Sequence, residues 1–264
     1  MSIESAESER KLLSVIIPAF NEEGTLAQIV GKLRTVPHLL EIIIVDDCSS
    51  DRTHAIAQAL AQKYDNIRVL RMPVNSGKTA ALKTGFAASR GDIVIVQDAD
   101  LEYDPSEIID VIRPIVDGHA DVVYGSRFLV RKAARVLYFY HYLANKSLTF
   151  LSNVLTNVNF SDVETGYKAF RGDIIRNMLI TSTGFGFEIE VTAKVCKLRC
   201  ATYEVPISYY GRTYEQGKKI GLSDGFAALW YLLKYNLLTD LKSSFKALPA
   251  LVSNPQASSD AMTH

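Results

Sequence analysis

The chain has 264 residues, 48% of them hydrophobic, and its 29 basic residues balance 29 acidic ones to a formal net charge of zero. This composition is typical of a folded domain with a substantial core and excludes an intrinsically disordered chain. The neutral balance argues against general nucleic-acid binding, which normally requires an excess of basic residues.

No apolar run approaches the ~20 residues of a membrane-spanning helix, and the polar, acidic residues 1–11 do not form a signal peptide. We therefore expect a cytoplasmic protein, either soluble or peripheral at the cytoplasmic membrane face. We also expect residues 1–11 to be disordered, residues 12–248 to form a single domain and residues 249–264 to be a flexible tail.

The first half of the chain alternates buried-strand runs with helical patterns, which predicts a parallel α/β structure. Four helices are predicted in this half. The first starts near Glu22, and the second follows a cap at Ser49, Ser50 or Asp51. The third starts at Gly77 and the fourth at Pro105. The apolar runs between turn residues predict strands at residues 12–17, 41–45, 67–71, 93–96 and 121–124.

The second half is less regular. Residues 136–155 are rich in aromatic residues and leucine, and residues 163–170 and 201–210 read as strands with a helix at 188–198 between them. Residues 222–248 predict one long amphipathic helix.

Three predicted strands run directly into polar residues, namely Asn21 with Glu22, Asp47, and Asp98. Because the carboxyl ends of parallel strands share one edge of a sheet, where ligands usually bind, the pattern predicts a site for a cation or for polyol hydroxyls. Helix capping explains Asp98 poorly, since this residue stands at a strand end well before the next helix.

Asp98 and Asp100 are separated by one residue, so both carboxylates can face one ion. Mg²⁺ and Mn²⁺ prefer oxygen ligands and take several of them from water or substrate phosphates. The pair therefore predicts a metal that bridges to a diphosphate. Phosphatases of the haloacid dehalogenase class carry Thr or Val where Glu102 stands, and a P-loop requires glycine where Met72 stands, so neither class fits.

An ordered set of motifs gives the chain a specific resemblance. They are VIIPAFNE at 15–22, IVDDCSSDRT at 44–53, NSGK at 75–78, QDADL at 97–101, GSR at 125–127, DVETGYKAF at 162–170, GFE at 186–188 and EVPISY at 204–209. With them the chain resembles family 2 glycosyltransferases of the GT-A fold, close to the dolichyl- and polyprenyl-phosphate mannose or glucose synthases. The resemblance implies a mostly parallel central sheet flanked by helices, with a nucleotide-sugar half at 12–127 and an acceptor half, elaborated by helices, at 128–248.

The resemblance also implies roles for individual residues. Asp98 and Asp100 would hold Mg²⁺ or Mn²⁺ on the diphosphate, with Glu102 as a further ligand, although many relatives carry Gln there. Arg127 and Arg212 would face the phosphates of acceptor and donor. The nucleotide would contact Pro18, Asn21, Glu22, Asp47 and Lys78.

The implied reaction transfers a hexose from GDP-mannose or UDP-glucose to a polyprenyl or dolichyl phosphate, with inversion. A phosphate acceptor is ionised near neutral pH and needs no strong base. The alternative acceptor is a soluble or saccharide hydroxyl, which requires a carboxylate base, with Asp162 and Glu164 as candidates. A non-catalytic nucleotide-sugar-binding module on the same fold is the third possibility.

Two basic segments lie in the second half. Arg131, Lys132 and Arg135 precede a run of aromatic residues, a combination that suits either anionic lipid headgroups with a polyprenyl phosphate or an ordinary amphipathic helix that covers the sheet. The glycine-punctuated segment 211–220 carries Arg212 and Lys218 and predicts a loop that closes over phosphates.

Overall fold

A seven-stranded sheet forms the centre of the structure, a computed structural model that describes residues 12–129, 135–136, 138–184, 186–211 and 222–252. The strand order is β3-β2-β1-β4-β6-β5-β7, and all neighbours are parallel except β6, which is antiparallel to both β4 and β5. The strands are β1 Leu13–Ala19, β2 Leu39–Asp46, β3 Ile67–Arg71, β4 Ile93–Val96, β5 Val122–Ser126, β6 Lys168–Arg171 and β7 Thr202–Pro206.

Helices connect the strands and cover the sheet. The helices are α1 Leu26–Leu33, α2 Thr53–Lys63, α3 Lys78–Ala88, α4 Ile108–Val116, α5 Phe139–Thr156, α6 Gly172–Asn177, α7 Phe187–Leu198 and α8 Leu222–Leu237. A 3₁₀ turn, Pro105–Glu107, leads into α4, and another, Lys242–Ser244, follows α8.

The core is divided into two layers by the sheet. Side chains alternate between the faces of a strand, so Val15 and Ile17 of β1 pack in one layer, which includes α1 and α4, while Ile16 packs in the other with α3 and α7. The near-continuous apolar runs of β1, β2 and β4 are therefore explained by burial on both faces.

Each predicted strand has a counterpart in the structure, and the parallel first half is confirmed. The strand predicted at 201–210 is too long, because β7 ends at Pro206. The strand predicted at 163–170 is wrong in its first part, because β6 begins only at Lys168. The ammonium of Lys168 donates hydrogen bonds to the carbonyl oxygens of Val163 and Thr165, which hold the preceding residues in a loop.

Two helix predictions also need correction. The first helix begins at Leu26 and not near Glu22, since the N–H of Glu22 donates to Thr53 Oγ1 at 2.8 Å and belongs to a loop. The helix predicted to reach residue 248 ends at Leu237. Shortly after it, Asp240 Oδ1 accepts from the N–H of Ser243 at 2.7 Å and starts a separate turn.

The predicted disordered N-terminus, residues 1–11, and residues 253–264 of the predicted tail lie outside the described residues. At the start of that tail, the N–H of Val252 donates to Asp121 Oδ1 at 3.0 Å. In the part of the chain that the structure describes, no helix combines the length and the hydropathy that crossing a membrane requires.

Candidate active site

The loops after β1 and β2 are tied together at the carboxyl edge of the sheet. Asn21 has φ 55°, in the left-handed region, and its Oδ1 accepts the N–H of Ser50 at 2.9 Å. The N–H of Asn21 in turn donates to Ser49 Oγ at 3.0 Å. Asn21 is exposed, and Glu22 and Pro18 are partly exposed near the end of β1.

Asp47 is buried and holds the loop that precedes α3. Its Oδ1 accepts the N–H of Ser76 at 2.9 Å, and its Oδ2 accepts that of Gly77 at 2.7 Å. Gly77 has φ 86°, which favours glycine, and a Cβ there would lie 3.3 Å from the Cα of Gly184. Asp47 therefore fixes the residue that starts α3, Lys78, and its predicted contact with the nucleotide stays a prediction.

Lys78 lies between two carboxylates. Its Nζ is 3.0 Å from Asp98 Oδ1 and 3.2 Å from Asp98 Oδ2, and it is also 3.0 Å from Glu188 Oε1. Burial alone would lower the pKa of Lys78, but Asp98 and Glu188 outweigh it and raise this pKa well above its usual value. Burial likewise opposes the charge of Glu188, and Lys78 holds the pKa of Glu188 below its usual value. Lys78 is therefore a charged ammonium at the end of β4.

Sequence reasoning gave Glu188 no role. It lies in the GFE motif at the start of α7, and its place in that motif was the signal in the sequence that could have singled it out. In the structure it is buried, where a glutamate needs a cation as partner.

The turn after Asp98 directs Asp100 and Glu102 in different ways. Asp100 Oδ1 accepts the N–H of Glu102 at 3.1 Å, with Leu101 between them at φ 60°. The carboxylate of Glu102 accepts a hydrogen bond from the hydroxyl of Tyr209 at 3.0 Å. The structure thus places Asp98 and Asp100 at the carboxyl edge of the sheet. The carboxylate of Glu102 is instead bound to Tyr209, in the segment that follows β7.

The donor set suits a hard divalent cation. A Cβ at position 166 would lie 2.5 Å from Asp98 Oδ2, so Gly166 leaves room beside that oxygen. Asp98 and Asp100 supply carboxylate oxygens, the ligands that Mg²⁺ and Mn²⁺ take in small number when water and phosphates complete the shell. Among the described residues, no three or more His, Cys, Asp or Glu side chains are grouped so that they could hold a metal ion.

Arg127 and Asp162 form a second buried ion pair. Arg127 Nε is 2.7 Å and an Nη 2.8 Å from the two Asp162 oxygens, and the N–H of Arg127 donates to Oδ2 at 3.1 Å. The Arg127 side chain is 8% exposed. Burial would raise the pKa of Asp162, but Arg127 holds it below its usual value. Both Asp162 oxygens are committed to Arg127.

Glu164 is in a different state from Asp162. Its Oε1 is buried and has no hydrogen-bond partner among the described residues. Burial, together with the nearby carboxylate of Glu188, raises the pKa of Glu164 to about 7. Burial lowers the pKa of Lys168 to about 8. A carboxyl group that exchanges its proton near neutral pH thus lies beside the Arg127–Asp162 pair.

A cleft of about 470 Å³ opens at the same edge and is lined by Asn21, Glu22, Asp100, Arg135 and Tyr210, among others. Arg135 Nη1 donates to the carbonyl oxygen of residue 211 at 2.9 Å. A larger surface depression, of about 590 Å³, is lined by residues of α2 and β3 and by none of the predicted site residues. We place the site at the smaller cleft because Glu22 and Asp100, which follow β1 and β4, line it. Asp47 and Asp98 are not among its lining residues. Arg131, Lys132, Arg212 and Lys218 lie outside the described residues.

Helices α5 and α8 pack against each other, and each exposes apolar side chains at helical spacing. On α5 these include Phe139, Leu143, Phe150 and Val154. On α8 they are Leu229, Trp230, Leu233 and Leu237, and Trp230 is 56% exposed. The helix predicted to cover the sheet therefore does not bury its whole apolar surface.

Residues 14–179 match the family model described as Glycosyl transferase family 2. The chain is 31% identical to a polyprenol monophosphomannose synthase of Mycolicibacterium smegmatis, over 78% of this chain and 80% of that protein. It is 30% identical to a dolichol-phosphate mannosyltransferase of Pyrococcus furiosus, over 79% of this chain but only 60% of that protein.

Among solved structures, glucosyl-3-phosphoglycerate synthase from Mycobacterium tuberculosis is similar in fold. The TM-score is 0.69 at 22% sequence identity, and the match covers 89% of this chain and 83% of that one. That enzyme has also been solved in complex with Mn²⁺ and uridine diphosphate. The likeness confirms the GT-A fold expected from the motifs.

Proposed function

The chain belongs to glycosyl transferase family 2, and from this premise we propose that it transfers a hexose from GDP-mannose or UDP-glucose to a polyprenyl or dolichyl phosphate, with inversion. The observation that carries the proposal is the Asp98 carboxylate just after β4, which is paired with Lys78 and separated by one residue from Asp100. Relatives that match most of the chain are mannosyltransferases for polyprenol and dolichol phosphates. Because membership assigns a glycosyltransferase activity, a non-catalytic binding module is not retained.

On the donor side, Asp98 and Asp100 would hold Mg²⁺ or Mn²⁺. When bound, the metal would stabilise negative charge on the leaving nucleoside diphosphate. Lys78 would add a second positive charge beside the same group, and Asn21 and Glu22 would line the nucleotide end of the cleft. Glu102 is the weakest metal ligand of the three predicted, since its carboxylate is bonded to Tyr209.

On the acceptor side, Arg127 supplies a permanent buried cation, and Arg135 lies at the cleft with Asp100. A phosphate acceptor binds well to guanidinium groups and brings its own ionised oxygen to the anomeric carbon. Asp162 would act by orienting Arg127 and not as a base. Arg212 and Lys218 remain proposed phosphate ligands.

The exposed apolar stripes of α5 and α8 support a lipid acceptor. Aromatic and aliphatic side chains at helical spacing are typical of helices that lie in the headgroup region of a bilayer. We propose peripheral contact with a membrane through these two helices, at the cytoplasmic face, where nucleotide-sugars would be supplied.

Transfer from radiolabelled GDP-mannose and UDP-glucose to polyprenyl phosphate tests the function, with organic extraction of the product. Asp98→Asn and Asp100→Asn should lower transfer by at least about 100-fold, whereas Asp65→Asn, in an exposed loop, should not change it. Unchanged transfer by both site variants would contradict the proposed donor site.

Vesicle flotation tests the membrane contact. Trp230→Ser and Phe150→Ser should each reduce co-flotation with vesicles of phosphatidylglycerol and phosphatidylcholine. Val74→Ser, which is equally exposed but lies before α3, is the matched control. Equal flotation of all three variants, or no flotation of the unmodified protein, would reject α5 and α8 as a membrane surface.

Glu164 favours a second candidate, transfer to a hydroxyl acceptor. Its buried Oε1, which has no hydrogen-bond partner in the part of the chain that the structure describes, and its pKa of about 7 suit a group that removes a proton from a hydroxyl. With such an acceptor, Glu164→Gln should reduce kcat by about 100-fold or more. With a phosphate acceptor the same variant should retain most of its activity, and the product should extract into organic solvent.

A further inference from the structure

The backbone around Lys78 and Glu188 holds the starts of their two helices close together. Lys78 is the first residue of α3, and Glu188 is the second residue of α7. The N–H and the hydroxyl of Thr79 both donate to the carbonyl oxygen of Gly184, at 3.2 and 2.9 Å. Because these bonds join the start of α3 to the segment that leads into α7, Glu188 stays within reach of Lys78, whose Nζ lies 3.0 Å from Glu188 Oε1.

The same ammonium contacts both oxygens of Asp98, at 3.0 and 3.2 Å. A divalent metal binds a carboxylate oxygen at about 2.1 Å, and two cations on one carboxylate repel each other strongly where little solvent screens them. Metal binding at Asp98 therefore requires Lys78 to move away from it. Glu188 offers the displaced ammonium a partner that it already contacts, so it stays paired within the buried site.

We infer that Lys78 and Glu188 form a cation-exchange pair: Lys78 neutralises Asp98 in the metal-free enzyme and withdraws to Glu188 when the metal arrives. Glu188 is then a positioning residue. The inference rests on the proposed metal site at Asp98. It explains why metal and nucleotide should bind together, since the diphosphate gives the released ammonium a new anionic partner.

The exchange predicts opposite effects of two substitutions on the affinity for Mn²⁺ alone, measured by calorimetry on the full chain without nucleotide. Lys78→Met removes the competing cation and should tighten Mn²⁺ binding by about tenfold. Glu188→Gln removes the alternative partner, so Lys78 remains on Asp98 and Mn²⁺ should bind several-fold more weakly. Lys83→Met, an exposed lysine on the same helix, should match the unmodified protein.

A double variant protects the test against misfolding. Lys78→Met leaves Glu188 buried without its cation, whereas Lys78→Met with Glu188→Gln removes both charges and should fold, as thermal melting without metal will show. This double variant should also bind Mn²⁺ more tightly than the unmodified protein. Lys78→Arg keeps the positive charge and should not tighten binding.

The outcomes separate this inference from the proposed function. Equal Mn²⁺ affinity in the unmodified protein, Lys78→Met and the double variant would overturn the exchange while leaving the metal site intact, provided that Asp98→Asn abolishes binding. Tighter binding by Glu188→Gln would overturn it as well. If no protein binds Mn²⁺, with or without uridine or guanosine diphosphate, the metal site and the exchange both fail.

Discussion

Two cations of the site, the partly buried Lys78 and the buried Arg127, are held in contrasting ways. Lys78 is a single point charge shared between Asp98 and Glu188, which belong to different elements. Arg127 binds one carboxylate, Asp162, through two side-chain nitrogens and its backbone N–H. A planar guanidinium fork fixes geometry, whereas an ammonium on a flexible stem can change partners with little rearrangement.

The contrast indicates a division of labour across the sheet edge. In the proposed enzyme, Lys78 on the donor side would change its partner when a metal and a diphosphate bind. Arg127 on the acceptor side would keep one position and offer each incoming anion the same positive charge. Glu164 lies near both Glu188 and Arg127, and Gly166 lies beside Asp98. Substitutions at these two positions therefore test whether a change on one side affects the other.

The largest expected effect follows from breaking the fixed pair. Arg127→Met leaves the Asp162 carboxylate buried and unpaired, and should cost about 3–5 kcal/mol of the free energy of unfolding, measured by urea denaturation at pH 7.5. Arg113→Met, at an exposed arginine of α4, should cost less than about 0.5 kcal/mol. If Arg127→Met lowers the free energy of unfolding no more than Arg113→Met does, the Arg127–Asp162 pair does not stabilise the fold.

Much of this arrangement was predictable from local sequence. The apolar runs of β2 and β4 end at the acidic residues that the structure places at the carboxyl edge, because strands buried on both faces stop where a charge must reach solvent or a partner. The position of Asp98 at the carboxyl edge of the sheet could therefore be predicted without knowing any long-range contact. The parallel order of β1, β2 and β3 follows from alternation with helices.

Long-range pairing was not predictable from spacing. Asp162 and Arg127 are separated by 35 residues, and nothing in their local patterns names one as the other's partner. Lys78 and Glu188 meet only because α3 and α7 pack on the same face of the sheet. The antiparallel insertion of β6 between β4 and β5 is likewise a tertiary choice, since its four-residue run carries no direction.

Gly166 is the point where the two sides touch, and Gly166→Ala should sharpen the contrast. The new Cβ would lie 2.5 Å from Asp98 Oδ2 and 3.0 Å from a ring carbon of Tyr103. Overpacking of this kind costs about 1–3 kcal/mol, and displacement of Asp98 should also weaken Mn²⁺ binding. Gly24→Ala, where no atom lies within 4 Å of the new Cβ, is the control. Normal metal affinity in Gly166→Ala would show that the acceptor-side loop does not constrain Asp98.

The smallest expected effect concerns the proton on Glu164, which lies near Glu188, Lys168, Arg127 and Asp162. Its pKa of about 7 in the folded protein exceeds the value of 4.5 expected when unfolded, so between these values the folded state binds more protons. Glu164 therefore contributes a fall in the free energy of unfolding as the pH rises from 5 to 7.5. Glu164→Gln removes this loss.

At pH 7.5 the variant should consequently be more stable than the unmodified protein by about 1–2 kcal/mol. This gain is smaller than the full pKa difference would give, because the side chain is only partly shielded from solvent. At pH 5 the advantage should disappear. Denaturation at both pH values measures the difference between the two proteins, and both values lie below the pKa of about 8 of Lys168. If the free energy of unfolding depends on pH in the same way in the two proteins, Glu164 keeps its charge as Asp162 does. The acceptor side would then carry the same charges from pH 5 to pH 7.5.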